Sequence, residues 1–423
     1  MISPEWTTQW AEQSAKIRND CTYEDSAMQL RALIKTGLLR FTDMRDHPEK
    51  FFLAHRMLVG LRGPGFWIRF TVQYNLFAGT VLGLGGKEQV ASLDEMQRKG
   101  TLGCFALTEK LAGVNSGLVV LTTATWHPAT QSFVLQTSPD DEDRKKNWIS
   151  QGLVADKAAV IADLIVSGKS YGPHGFLIDM RDSNGKLADG IVLGDMGRKT
   201  TGNDLDNAWI QFNSLVVPKS TLLNRYCEIQ NDQYVQTTKD KVTFAVFGQR
   251  LLSGRTCVAQ AAATFCYNLY SETQQYAQAR KCWSPNGKIA LGSVPHIKAL
   301  FDEAQLSLFQ MQTYMLKVEA ALCECLKRDS IPPPELVQAI AVGKIAVVEQ
   351  AISLSFRLKQ EVGSYALMSG NGFEDMDFLQ CCKFAEGDGR ILQQKLARDQ
   401  VRLFQQGKLT GVDPKSQEAH LLK

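Results

Sequence analysis

At 423 residues the chain lies well above the size at which burial of a hydrophobic core becomes marginal, so it needs no disulfide or metal to fold. Its 44% hydrophobic and 22% charged residues are those of an ordinary globular protein. The formal net charge of +3 comes from 47 basic and 44 acidic side chains interleaved along the chain, which excludes the clustered basic face of a nucleic-acid binder.

In chain order, the opening MISPEWTTQWAEQ has neither the basic start nor the apolar run of a secretory signal. No stretch approaches the roughly 18 apolar residues of a membrane span, so an intracellular, soluble protein is expected. SAMQLRALIKTGLLRF carries Met28, Leu30, Leu33, Ile34, Leu38 and Leu39 near helical spacing, and HPEKFFLAHRMLVGL opens with Pro48 at a helix-entry position. Residues 1–101 are therefore expected to form an N-terminal helical domain. From Leu102 the texture changes to short alternating runs such as SFVLQT, AAVIADLIV, YGPHGFLIDM, DGIVLGDM and NAWIQFNSLVV, separated by turn residues. These predict a middle antiparallel β-domain over 102–235, in which the charge run DDEDRKKNW reads as a solvated loop.

Residues 236–423 are expected to form a C-terminal four-helix bundle, with strands ending before Thr243. Ile297, Leu300, Phe301, Ala304, Leu308, Met311, Met315, Val318 and Leu322 recur at steps of three and four, as on a helix buried along one stripe. The triplet Pro332, Pro333 and Pro334 suits the start of the next helix. The ten cysteines contain no C-x-x-C pair and the six histidines no H-E-x-x-H, so reduced thiols and no metal site are expected. Helices, then a sheet, then a bundle make an α+β fold with a site between layers.

Four segments could carry chemistry. In GCFALTEKLAGVNSG, Thr108 and Glu109 precede small residues whose backbone can approach a flat cofactor, or simply turn. In KNWISQG, Trp148 is either packing or an aromatic wall for a ligand. MSGNGF, with Gly370 and Gly372 around Asn371, reads as the end of a long helix or as backbone approaching a dinucleotide. In KFAEGDGRILQQKLARD, Asp388 is a natural N-cap, and Glu386 before Gly387 either favours the positive end of the helix or projects as a general base.

Taken together and in order, these segments resemble one family. GCFALTEKLAGVNSGL, TTATWHPATQSFVLQT and KNWISQG are similar to the Thr-Glu turn, the two following strands and the Lys-Trp turn of acyl-CoA oxidases. YGPHGFLIDMRD and GDMGRKTTGNDLDNAWIQFNSLVVPKSTLLNRY resemble the second half of the same β-domain. RLLSGRTCVAQAA, YAQARKCW, MSGNGF and FAEGDGRILQQKLAR resemble the family's helical motifs, the last being the segment that carries the catalytic glutamate. The resemblance to the acyl-CoA oxidase and acyl-CoA dehydrogenase superfamily runs from about Asp46 to Arg398.

The resemblance implies an acyl-CoA dehydrogenase-like fold of helical domain, β-domain and four-helix bundle, with FAD between the β-domain and the bundle. It implies Glu386 as catalytic base, Thr108 and Trp148 beside the flavin, Arg280, Gly370 and Gly372 against the FAD of a neighbouring subunit, and Asp388 in the cofactor-binding segment. A homodimer or higher homo-oligomer acting on acyl-CoA or another acyl thioester follows, with dioxygen as acceptor and a peroxisomal location possible. The chain departs from the pattern at Lys110 and Leu111 in the first turn, at KCWSPNG, and at Arg390, a large cation that either pairs with a phosphate or blocks the site. Its end, HLLK, is not a Ser-Lys-Leu peroxisomal address. Two alternatives are a dehydrogenase that uses an electron-transfer flavoprotein, and a relative kept as a structural or interaction subunit.

Overall fold

The computed structural model describes residues 2–59, 64–113, 119–137, 142–238, 244–285 and 287–408. The VNSG part of the first motif, the start of the charge run and the chain end HLLK lie outside them. Among the described residues, seven helices precede the first strand: α1 (Pro4–Ser14), α2 (Tyr23–Lys35), α3 (Asp43–Asp46), α4 (Pro48–Val59), α5 (Gly65–Thr71), α6 (Gly79–Leu84) and α7 (Lys87–Lys99). Ser3 and Thr22 accept hydrogen bonds from Trp6 N and Asp25 N as N-caps, and Pro48 opens α4. A π-helical turn, Val72–Ala78, carries α5 into α6 without a break. Leu30, Leu33, Ile34 and Leu39 are buried as their spacing predicts, but Met28 is exposed because two residues turn it about 200° away from Leu30.

The strands are β1 (Gly103–Ala106), β2 (Thr123–His127), β3 (Ser132–Gln136), β4 (Lys146–Ser150), β5 (Lys157–Val166), β6 (Lys169–Asp179), β7 (Ile191–Asp195), β8 (Asn207–Phe212), β9 (Leu215–Pro218), β10 (Cys227–Gln230) and β11 (Gln233–Gln236). A six-stranded sheet runs β1-β5-β2-β3-β9 with β6 on β5, beside a three-stranded sheet β4-β8-β7. The larger sheet is mixed, not antiparallel: β5 runs parallel to both β1 and β2. Side-chain alternation encodes which face is buried and carries no sign of strand direction, so this was invisible in the sequence. Buried β5 and the ring contacts of Phe133 with Trp126 at 5.0 Å and Phe176 at 5.3 Å form the core of this part.

Three long helices follow, α8 (Phe244–Ala279), α9 (Pro295–Lys327) and α10 (Pro334–Glu361), with the short α11 (Asp377–Phe384) and then α12 (Gly389–Gln405). The first three pack pairwise and α12 packs on α10. An antiparallel hairpin, β12 (Lys281–Ser284) and β13 (Gly287–Ala290), lies between α8 and α9, where no strand was expected. The whole expected stripe of α9 is buried, and Pro334 opens α10. α10 is long and apolar enough to cross a membrane, with a mean hydropathy of 1.5, but half of that stretch is buried in the protein. A helix apolar on more than one face is what a position between α8 and α9 requires.

One buried charge links two parts of this fold. Arg69, fully buried on α5, donates to Ser26 Oγ at 3.1 Å, Gln151 Oε1 at 3.2 Å, Tyr23 O and Asp204 O at 3.1 Å, and Asp206 Oδ1 at 3.0 Å. It thereby ties the N-terminal helices to the β4–β8 sheet. Removing one partner of such a pair leaves the other charge stranded. Arg69→Met is expected to cost about 3 to 5 kcal/mol. Adding Asp206→Leu should recover part of that loss, a non-additivity read from urea midpoints of the two variants.

Candidate active site

Glu386 stands in the turn between α11 and α12, in the left-handed region at φ 58, followed by Gly387 at φ 95. A glutamate rarely adopts that conformation, so the surroundings must hold it there. Two cations do so, and both reach for backbone. Arg255 of α8 donates from Nε to Glu386 O at 2.9 Å, while Lys344 of α10 donates from Nζ to Lys383 O at 2.6 Å and to Gly387 O at 2.9 Å. The residue as a whole is half-buried, yet its Oε2 is shut off from solvent and accepts no hydrogen bond.

The carboxylate lies against Gly254 so closely that a Cβ built there would sit 2.2 Å from Glu386 Cδ. Burial pushes the Glu386 carboxyl up to about 7, against the opposing pull of the Arg255 and Lys344 charges. Burial likewise pushes Lys344 down to about 8. A carboxylate with near-neutral proton affinity and an unsatisfied oxygen can take up a proton from a bound molecule.

Thr108 and Trp148 form a second group. Asn147 N donates to Thr108 O and Lys110 N to Lys145 O, both at 2.9 Å, so the two turns run side by side. Beneath them lies a buried ion pair, in which Lys146 Nζ meets Glu109 Oε1 at 2.7 Å with both side chains fully buried. Glu109 also accepts from Leu121 N, Thr122 N and Thr122 Oγ1, and Lys146 donates to Leu107 O and Ile161 O. Lys146 belongs to the charge run read as a solvated loop. That reading fails because Glu109, 37 residues earlier, supplies an anion no local pattern reveals. Trp148, next but one, turns outward at φ 55 on a bulge in β4 and is 55% exposed.

Arg280 is exposed at the C-terminal end of α8. Gly370 and Gly372, at φ 83 and φ 85, flank buried Asn371 between two short 3₁₀ turns, beyond α10 and not at its end. Asp388 caps α12 by accepting from Arg390 N at 2.8 Å and pairs with Arg390 Nε at 3.1 Å. Burial pushes the Asp388 carboxyl up, but Arg390 outweighs it and holds the group below its ordinary value. The structure therefore brings Glu386 and Asp388 together, and Thr108 and Trp148 together. The resemblance singled out the segment that holds Gly254 and Arg255, but sequence reasoning did not place them beside Glu386 and missed Lys344 altogether.

No protein-family model matches the chain. Among curated proteins it is similar to acyl-coenzyme A oxidase 2 of Yarrowia lipolytica, with 28% identity over 416 residues that cover 90% of this chain and 57% of the relative. Acyl-coA oxidase1 from Yarrowia lipolytica has the same fold, with a TM-score of 0.77 at 22% identity, over 96% of this chain and 64% of that one. Acyl-CoA oxidase-2 of Caenorhabditis elegans, solved bound with FAD, ascaroside-CoA and ATP, gives a TM-score of 0.77 at 21% identity, over 97% and 64%. The chain thus spans somewhat over half the length of these relatives.

Two outcomes test the Glu386 geometry. Because its folded proton affinity exceeds that of the free side chain, the native state holds the proton more tightly. Stability from this source is complete below about pH 4.5 and is lost as pH rises through about 7. Glu386→Gln is therefore expected to stabilise the cofactor-free protein at pH 8 by at most roughly 3 kcal/mol, at roughly 1.4 kcal/mol per pKa unit. The gain should vanish as the pH falls towards 4.5, in denaturant melts at matched pH. Gly254→Ala, whose methyl would occupy the carboxylate's place, is expected to move the Glu386 ionisation midpoint by a unit or more, read by infrared titration.

Proposed function

We propose that the chain is a member of the acyl-CoA oxidase and acyl-CoA dehydrogenase superfamily and an FAD-dependent enzyme that oxidises acyl-CoA or a related acyl thioester to the trans-2-enoyl thioester, with dioxygen as acceptor. The observation that carries this reading is the Glu386 carboxylate, buried, unpartnered at Oε2 and of near-neutral proton affinity. An α-proton of a thioester is weakly acidic, and a base with an ordinary carboxylate affinity would return it at once. Raising that affinity towards the working pH improves the driving force while leaving much of the group ionised.

Glu386 removes the α-proton onto its carboxylate, and hydrogen-bond donors at the thioester oxygen must stabilise the developing enolate. Burial of the carboxylate keeps water from competing for the proton. FAD, when bound, would accept hydride from the β-carbon. Residues of this chain fit such a group: Trp148 presents an exposed indole beside Thr108, and glycine backbone at 370 and 372 has no Cβ to hold a ligand away. Asp388, held at the start of α12 by Arg390, borders the same turn as Glu386.

Arg280, Gly370 and Gly372 would meet the FAD of a second subunit in a homodimer. Exposed Leu306, Phe309 and Leu316 on α9 and Phe356 on α10 support an oligomer, because such apolar side chains on one bundle favour a covering partner. A peroxisomal setting is part of the proposal and rests on the family alone.

The absorption spectrum of the purified protein tests the whole reading. Flavin absorbance is expected to bleach on anaerobic addition of acyl-CoA and to return with hydrogen peroxide in air. Glu386→Gln should retain FAD but bleach at least about a hundredfold more slowly. Protein that takes up no FAD would end the proposal, whereas bleaching without return in air would replace dioxygen by an electron-transfer flavoprotein.

A further inference from the structure

We infer that Lys344 is a positioning residue for this site: from α10 its ammonium group grips the carbonyls of Lys383 and Gly387, on either side of Glu386, and so keeps the Glu386 carboxylate seated against Gly254. The inference rests on Glu386 being the base. A lysine at 1% exposure is costly to bury, and this one has no carboxylate among its hydrogen-bond partners, only main-chain oxygens of one turn. Those oxygens belong to a segment in which Glu386 and Gly387 are both left-handed. Arg255 holds the carbonyl between them from the opposite helix, α8. Three carbonyls of one short turn are thus tied by two cations from two long helices.

The turn needs tethers because its conformation is unfavourable twice over. A left-handed glutamate is strained, and its carboxylate sits without water or a donor at Oε2. Released, the backbone would relax and the carboxylate would swing into solvent. Burial is the largest influence on Glu386 and exceeds the effect of the neighbouring charges, so loss of the seat outweighs loss of the Lys344 charge. The ionisable groups around the pair are Arg255 and Cys257 on α8, Cys382 on α11 and Asp388 at the α12 cap, with Lys383 paired to Glu349 on α10 at 2.8 Å.

The test is infrared titration of the Glu386 carboxyl in the full chain, with Glu386→Gln as blank. In Lys344→Met the ionisation midpoint is expected to fall by at least one pH unit, a tenfold loss of proton affinity, towards the ordinary carboxylate range. Lys344→Arg, which retains donors and charge, is expected to remain close to the native value. An unchanged midpoint would mean Lys344 only fills space, and a raised one that it acts only through its charge; either overturns the inference. If neither variant folds, amide exchange in the native protein decides. Residues 384–387 should then exchange no faster than the α8 and α10 amides around Arg255 and Lys344, as a turn tied to both helices must. Fast exchange of the turn beside slow exchange of both helices would count against the tether. These measurements need no substrate, so a native protein without turnover would sink the assignment of Glu386 as base and leave the role of Lys344 to be read on its own.

Discussion

The candidate site depends on one constraint: a carboxylate oxygen, Glu386 Oε2, shut off from solvent and left without a hydrogen-bond partner. Two other groups of buried charge are, by contrast, hydrogen-bonded on several sides. Glu109 and Lys146 face each other with every neighbouring amide and carbonyl engaged, and Arg69 meets five acceptors. At Glu386 the two nearest cations direct their hydrogen bonds to main-chain carbonyls, so their charge reaches the carboxylate only through space. A hydrogen-bonded pair would pull the proton affinity far down, and burial alone would push it far up. The arrangement lies between, and it produces a group poised near neutrality.

That balance is held by long helices, not by the turn. α8 supplies Gly254 and Arg255 one after the other, so the space for the carboxylate and the anchor for its carbonyl are fixed by a single helical turn. α10 supplies Lys344 from the other side. Trp67 of α5 packs on Phe378 of α11 at 5.2 Å, and Phe378 stacks on Phe265 of α8 at 4.8 Å, so the element leading into the turn is itself wedged between the N-terminal helices and the bundle. Local strain at Glu386 persists because packing on three sides over-determines the backbone.

What the sequence made legible follows from range. The α9 stripe, the Pro334 helix start and the Asp388 cap are decided by residues within a turn or two of one another, and each is where its local pattern puts it. Glu386 could be singled out because the glycines after it mark a non-helical turn. Everything that depends on residues far apart was hidden. Lys146 looks like one more charge in a polar run until Glu109 is set beside it, and Lys344 looks like an ordinary helix lysine until the 383–387 carbonyls surround it. The parallel pairing of β5 with β1 and β2 belongs to the same class, as does the β12–β13 hairpin, whose short strands are too weakly patterned to stand out.

Arg390 shows how a departure from a family pattern can be absorbed. A large cation two residues past the cap could have drawn the Glu386 proton affinity down or obstructed the turn. Instead it folds back onto Asp388, with Nε at 3.1 Å from Oδ1, while about half of its side chain remains in solvent. The pair is nearly neutral from a distance, and water screens what remains of its field. Asp388 still caps α12, so the helix start that terminates the Glu386 turn is preserved. The field at the carboxylate is then set chiefly by half-buried Arg255 and buried Lys344, and not by the surface cation that the sequence makes conspicuous.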